Sequence, residues 1–264
     1  MIMKIVLQIT IVATSLLFLI PVHAQTPARV ETELLGFLAD ISKYGNYGGE
    51  RDDEKLTAAN EALKRSLMNH GTKGAMLAYA FPKLQEEMYV AKSKDGKFRI
   101  YSWDMQTGGT MRDFAAVYQF RGTGGKTIMW AENDEDESAG SFYPEIFQVS
   151  SKNGPIYLAT STFIGSTSTH GQSIKTIKIN GDDLDLTAKL IRTGSGLVDS
   201  VGFGYDFFSV VDRKERPIKL FEFNEVKKEF KFPIVVEDEE TPQGRVTNKF
   251  ITYRFNGTHF VKVN

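Results

Sequence analysis

The chain has 264 residues with 32 basic and 33 acidic side chains, a formal net charge of −1, and no cysteine. That balance offers no broad basic surface for nucleic acid or an anionic bilayer. Stability must come from packing, because disulfides and cysteine-bound zinc are both excluded, and a chain this long buries a sizeable core unaided.

Residues 1–24 read as a secretory signal peptide. A start carrying Lys4 precedes an apolar run over 5–20, Pro21 breaks that run, and Val22-His23-Ala24 supplies a cut site before Gln25. The apolar run is shorter than the roughly 20 residues of a spanning helix, and no later stretch approaches that length. Without a cysteine at the cut site there is no lipid anchor. The expectation is a periplasmic or secreted protein with no integral membrane segment after cleavage.

Residues 25–86 form the expected N-terminal helical segment. Leu34, Leu35, Phe37, Leu38 and Ile41 lie on one face of a helix that stops near Tyr44-Gly45. Gly45-Asn46-Tyr47-Gly48-Gly49 then reads as a loop. The spacing predicts a second helix over 53–69, with Asp52 or Asp53 as cap and Leu56, Ala59, Leu63 and Leu67 as its apolar stripe. The stretch 76–81 suits either a buried strand or a short third helix, ended by Pro82.

From 87 to 264 the period changes to two, and an antiparallel β domain is expected. The predicted strands are 88–91, 98–103, 112–120, 127–131, 146–150, 156–163, 173–179, 184–191, 203–211, 218–223, 229–236, 249–255 and 258–263. Asp95-Gly96, Asn153-Gly154, Asn180-Gly181 and Asn256-Gly257 supply hairpin turns. The fold class is therefore mainly β (α+β): a helical segment followed by a large antiparallel meander, sandwich-like or propeller-like. The unequal spacing of the turn dipeptides shows no fixed blade period.

Familiar catalytic patterns are missing. There is no Gly-x-Ser-x-Gly elbow and no His-x-x-x-His pair. His70, His170 and His259 read as surface residues. The acidic run 132–137 offers oxygen ligands to calcium, chiefly Asp134 and Asp136, but it lacks the EF-hand order and reads first as a solvated loop. No cofactor is otherwise expected.

The densest stretch is Asp95-Gly96-Lys97-Phe98-Arg99-Ile100-Tyr101-Ser102-Trp103-Asp104, followed by Thr107-Gly108-Gly109-Thr110. Phe98, Ile100 and Ser102 face one way, and Arg99, Tyr101 and Trp103 the other. Large side chains on both faces imply a central strand covered on both sides, with Gly108-Gly109 reversing the chain. The competing expectation is a shallow ligand site made by Tyr101, Trp103, Asp104 and Arg112, an aromatic face beside an acid and a base.

This D-G-K-x-R-x-Y-S-W-D-x-x-T-G-G-T pattern resembles a motif of secreted, uncharacterised proteins of Bacteroidetes-type bacteria. The resemblance extends to 219–232 and 251–260 and implies an exported bacterial protein, with no catalytic assignment to carry over. The leading expectation is a non-enzymatic binding module for a glycan or peptide. The alternatives are a carboxylate-based cell-envelope glycan hydrolase and a structural or interaction component of an envelope complex. The first requires an open aromatic patch at Tyr101 and Trp103, and the second two carboxylates facing across a cleft.

Overall fold

A computed structural model describes residues 26–47, 50–131 and 140–263. The signal-peptide reading of 1–24 and the calcium reading of Asp134 and Asp136 lie outside those residues. Helix α1 (Pro27–Gly45) starts where Thr26 accepts a hydrogen bond from the Arg29 N–H and Pro27 takes the first helical position. It ends at Asn46, which adopts the left-handed conformation. Helix α2 (Asp53–Gly71) is capped by Asp52, whose carboxylate accepts from the Lys55 N–H. The predicted stripe of α2 is buried (Leu56, Ala59, Leu63 and Leu67); on α1, Leu34, Leu38 and Ile41 of the predicted stripe are buried together with Val30, while Leu35 and Phe37 are only partly covered. At about 1.5–3 kcal/mol for each large side chain, that burial is what fastens the helices. Two short helices follow, α3 (Gly74–Ala78) and α4 (Leu84–Glu87), so the stretch at 76–81 resolves as a helical turn.

Three sheets come next. The first is a meander of β1 (Tyr89–Lys92), β2 (Phe98–Asp104), β3 (Phe114–Arg121) and β4 (Thr127–Ala131), paired in that order. The second is built from β5 (Phe142–Ser151), β6 (Gly154–Ile164) and β7 (Thr169–Asn180), with the short β8 (Asp183–Asp185) at the far end of β7. A hairpin of β9 (Ile191–Thr193) and β10 (Gly196–Val198) then leaves this sheet, and β11 (Ser200–Asp206) returns to pair with β7. The third sheet holds β12 (Glu222–Asn224), β13 (Glu229–Val236), β14 (Arg245–Phe255) and β15 (Phe260–Val263), with β9 and β10 added beyond β15. All pairings are antiparallel except β15 with β9.

The layers stack as helices, first sheet, second sheet, third sheet. Tyr101, Trp103 and Val117 pack under α1 and α2. From the opposite face of the same strands, Phe98, Ile100, Tyr118 and Phe120 meet Tyr143, Ile146, Tyr157 and Ala159 of the second sheet. The other side of the second sheet presents Ile156, Leu158 and Ile174 to Phe230, Tyr253 and Phe260 of the third. The protein is thus mainly β with leading helices, and its sheets stay open. Among the described residues no helix is long and apolar enough to cross a membrane.

Strand β2 is the hub of this stack, buried along 98–103. Two polar side chains beneath the helices hold it. The Arg99 guanidinium, fully buried, donates to the carbonyls of Met76, Leu77 and Tyr79 and to the Tyr101 hydroxyl, and lies over the rings of Phe81 and Tyr101. It thereby collects the free carbonyls at the end of α3, where a cation is favoured. Asn60 of α2 accepts from the Trp103 indole N–H at 2.9 Å and donates to the Leu56 and Met105 carbonyls, each at 3.0 Å.

The strand predictions fall short at three places. In 184–191 only 184–185 and Ile191 pair, in 218–223 only 222–223 do although Ile218, Leu220 and Phe221 are buried, and in 203–211 the strand ends at Asp206 and 207–210 forms a 3-10 turn. Alternating burial alone does not bring a backbone partner within reach.

Candidate ligand-binding cleft

Three connections meet at one end of the first two sheets. The loop between β2 and β3 is closed by the Met105 N–H donating to the Asp113 carbonyl and by the Thr107 hydroxyl donating to the Asp113 carboxylate at 2.6 Å. Its positive φ falls at Gln106, 58°, and not at either glycine. Gly108 is needed for close approach, since a Cβ there would stand 2.2 Å from the Met111 carbonyl oxygen. The Arg112 N–H donates to the Ile164 carbonyl, which ties this loop to the end of β6. The turn between β6 and β7 is closed by Gly165 and Ser166 N–H groups donating to the Thr169 carbonyl. The connection from α1 to α2 supplies Tyr47 and Arg51, and Arg51 donates to the Thr107 carbonyl at 2.9 Å.

Between these connections lies a cleft of about 710 Å³, a volume typical of small-molecule sites. Asn46, Tyr47, Arg51, Arg112, Ser166 and His170 line it, with backbone from Gly108 to Thr110. Two of its lining residues, Tyr47 and Arg112, meet behind the wall on Asp104. The Tyr47 hydroxyl donates to Asp104 Oδ1 at 2.6 Å, and the same oxygen accepts the Gln106 N–H at 2.8 Å. Asp104 Oδ2 is 3.8 Å from Arg112 Nη1, and the Arg112 guanidinium lies 3.5 Å above the Tyr47 ring. Burial, and then the hydrogen bond to Asp104, push the Tyr47 phenol up to about 12, against the opposing pull of Arg112. It stays a neutral donor at physiological pH. His170 stacks on Phe207 with ring centroids 4.6 Å apart. Burial pulls its pKa below the ordinary histidine value, opposed by a Ser166 backbone hydrogen bond and the Asp206 charge.

The four residues expected to form a site therefore divide. Tyr101 and Trp103 are 1 % and 2 % exposed, sealed under α1 and α2, and form no open aromatic patch. The physical reason is parity: they share the β2 face onto which both helices pack. Asp104, one residue on, sits where the strand leaves that cover, and Arg112 joins it from the far side of the loop. The aromatic partner is Tyr47, contributed from 57 positions earlier than Asp104. Arg51 and His170 were also not anticipated. An aromatic flanked by Gly45 and Gly48-Gly49, and a histidine in the Ser/Thr/Gly-rich segment 165–171, were the available signals. None of the described residues lining the cleft is acidic, and among the described residues no three His, Asp or Glu side chains group as metal ligands would. No family model matches this chain, and neither curated proteins nor solved structures show a match to it.

Proposed function

We propose that the chain is an exported, non-enzymatic binding module, acting in the periplasm or outside the cell, and that this cleft receives a glycan or peptide. The observation that carries the reading is the Tyr47–Asp104–Arg112 cluster at a cleft of about 710 Å³. An aromatic ring, a guanidinium, hydroxyls and exposed loop backbone are the groups that hold sugars and peptides by stacking and directed hydrogen bonds. The glycan hydrolase reading asks for two carboxylates across a cleft, and the acid beside this one, Asp104, is engaged by Tyr47 and Gln106.

The test is a screen of the purified protein against arrayed glycans and peptides, followed by calorimetry on the best binder. Saturable binding that falls at least about ten-fold in Tyr47→Ala, equivalent to 1.4 kcal/mol, supports the assignment. Binding that is indifferent to Tyr47, or none at all, overturns it.

A further inference from the structure

Arg112 is an under-used cation. A guanidinium carries five N–H donors in a planar fork, and among the described residues this one meets only the Tyr47 hydroxyl and the Asp104 carboxylate, which leaves part of the fork for a ligand. Beyond that hydroxyl, its contacts are the 3.8 Å approach to Asp104 and the face of the Tyr47 ring. Asp104 turns Oδ1 to the Tyr47 hydroxyl and the Gln106 N–H and meets the guanidinium only through Oδ2, at 3.8 Å. The ring below holds the fork flat, and the side chain, 34 % exposed, borders the cleft. Arg51 differs: it is paired with Asp53 and spends a second donor on the Thr107 carbonyl. It positions the Gly108–Thr110 backbone and leaves Arg112, whose pairing with Asp104 is long, as the more available cation of the cleft.

A pre-oriented planar fork matches a planar carboxylate bidentately, which a lysine ammonium does not do. The surroundings say what carries that carboxylate. Asn46, Ser166 and Thr167 line the cleft with an amide and hydroxyls, beside the loop backbone, and Ile164 is its aliphatic contribution. Such a lining suits a ring bearing many hydroxyls better than the apolar side chains of a peptide. Resting on the binding-module reading above, we infer that the cleft recognises a carboxylate-bearing sugar of the uronate type, with Arg112 binding the carboxylate and Tyr47 and the 166–167 turn meeting the ring hydroxyls.

The experiment titrates the purified protein by calorimetry with galacturonate oligomers and with neutral galactose oligomers of equal length. Sulfated galactose oligomers and peptides with free C-terminal carboxylates serve as further arms. The expected result is at least about ten-fold tighter binding of the uronate than of the neutral sugar, equivalent to 1.4 kcal/mol. That preference should shrink with added salt and be lost in Arg112→Gln, which still binds both sugars weakly. Arg112→Lys should regain only a minor part of it, which separates fork geometry from charge. Should Arg112→Gln not fold, the salt dependence and Arg112→Lys carry the test.

Equal binding of acidic and neutral sugars, or a preference that survives in both variants, overturns the inference and leaves the binding module standing. Tighter binding of the sulfated sugar, or of peptides in place of sugars, overturns it in favour of that ligand. Binding of nothing in any arm removes both readings together.

Discussion

Replacing Asn60 by leucine keeps the branched outline of four side-chain heavy atoms and removes the three Asn60 side-chain hydrogen bonds at the joint between α2 and β2. Trp103, 2 % exposed, then loses the acceptor for its indole N–H, and the Met105 carbonyl loses its donor. The Leu56 carbonyl retains its intrahelical partner and contributes little. An orphaned buried donor costs about 1–3 kcal/mol and the second, partly buried bond about 0.5–1.5 kcal/mol. The added apolar contact offsets part of this, so a net loss of about 2–3 kcal/mol is expected. For a chain of this size that corresponds to a fall in Tm of about 2–4 °C for each kcal/mol. The assay is thermal and urea unfolding followed by circular dichroism, in a cycle with Trp103→Phe, which removes the donor itself. The two substitutions share one interaction, so the double variant should lose less than their sum by about 1 kcal/mol. An unchanged Tm in Asn60→Leu, or additivity within about 0.5 kcal/mol, would refute the joint.

Four further outcomes follow from named contacts. Arg99→Met leaves the Met76, Leu77 and Tyr79 carbonyls without their donor and, at about 1–3 kcal/mol for each orphaned buried group, should cost about 3 kcal/mol or more in urea unfolding. Asp104→Asn should bring the Tyr47 phenol down from about 12 towards its ordinary 10, read by ultraviolet titration against a Tyr47→Phe control. The third concerns His170, whose folded-state pKa lies below its unfolded value because burial disfavours the cation. The unfolded chain therefore binds the proton more readily, and stability falls as pH drops from about 7 through 6.5 towards the folded pKa. His170→Gln should flatten that part of the Tm–pH curve relative to the native chain, and parallel curves would contradict it. Finally, Gly108→Ala places a methyl 2.2 Å from the Met111 carbonyl oxygen. It should shift amide resonances throughout 105–113 and weaken ligand binding, while far-ultraviolet circular dichroism stays unchanged.

The first two helices, most of their buried faces and a cap at Asp52 or Asp53, which the structure places at Asp52, were legible from spacing alone, because one amphipathic stripe encodes its own burial. The two-faced burial of β2 was legible too, since large side chains at successive positions need cover on both sides. Asp104 accepts the Gln106 N–H in its own turn, a short-range contact that an aspartate at a strand end makes with near neighbours. The polar fastening of Arg99 to the end of α3 was not legible, since its carbonyl partners lie 20 to 23 positions earlier.

Sequence by itself specified the local periods, the order of helices before strands, the antiparallel class and the turn residues, all of which depend on near neighbours. Which strands share a sheet, the excursion that places β9 beside β15, and the stacking of three sheets depend on pairings far apart in the chain. The cleft belongs to the second category. Tyr47, Asp104, Arg112 and His170 are scattered through the sequence; the docking of α1 and α2 onto β2 brings Tyr47 to Asp104, and the tie of Arg112 to Ile164 sets the β6–β7 end with His170 beside them. That same docking hides Tyr101 and Trp103, so one packing event both removes the expected aromatic patch and brings Tyr47 to the cleft beside it.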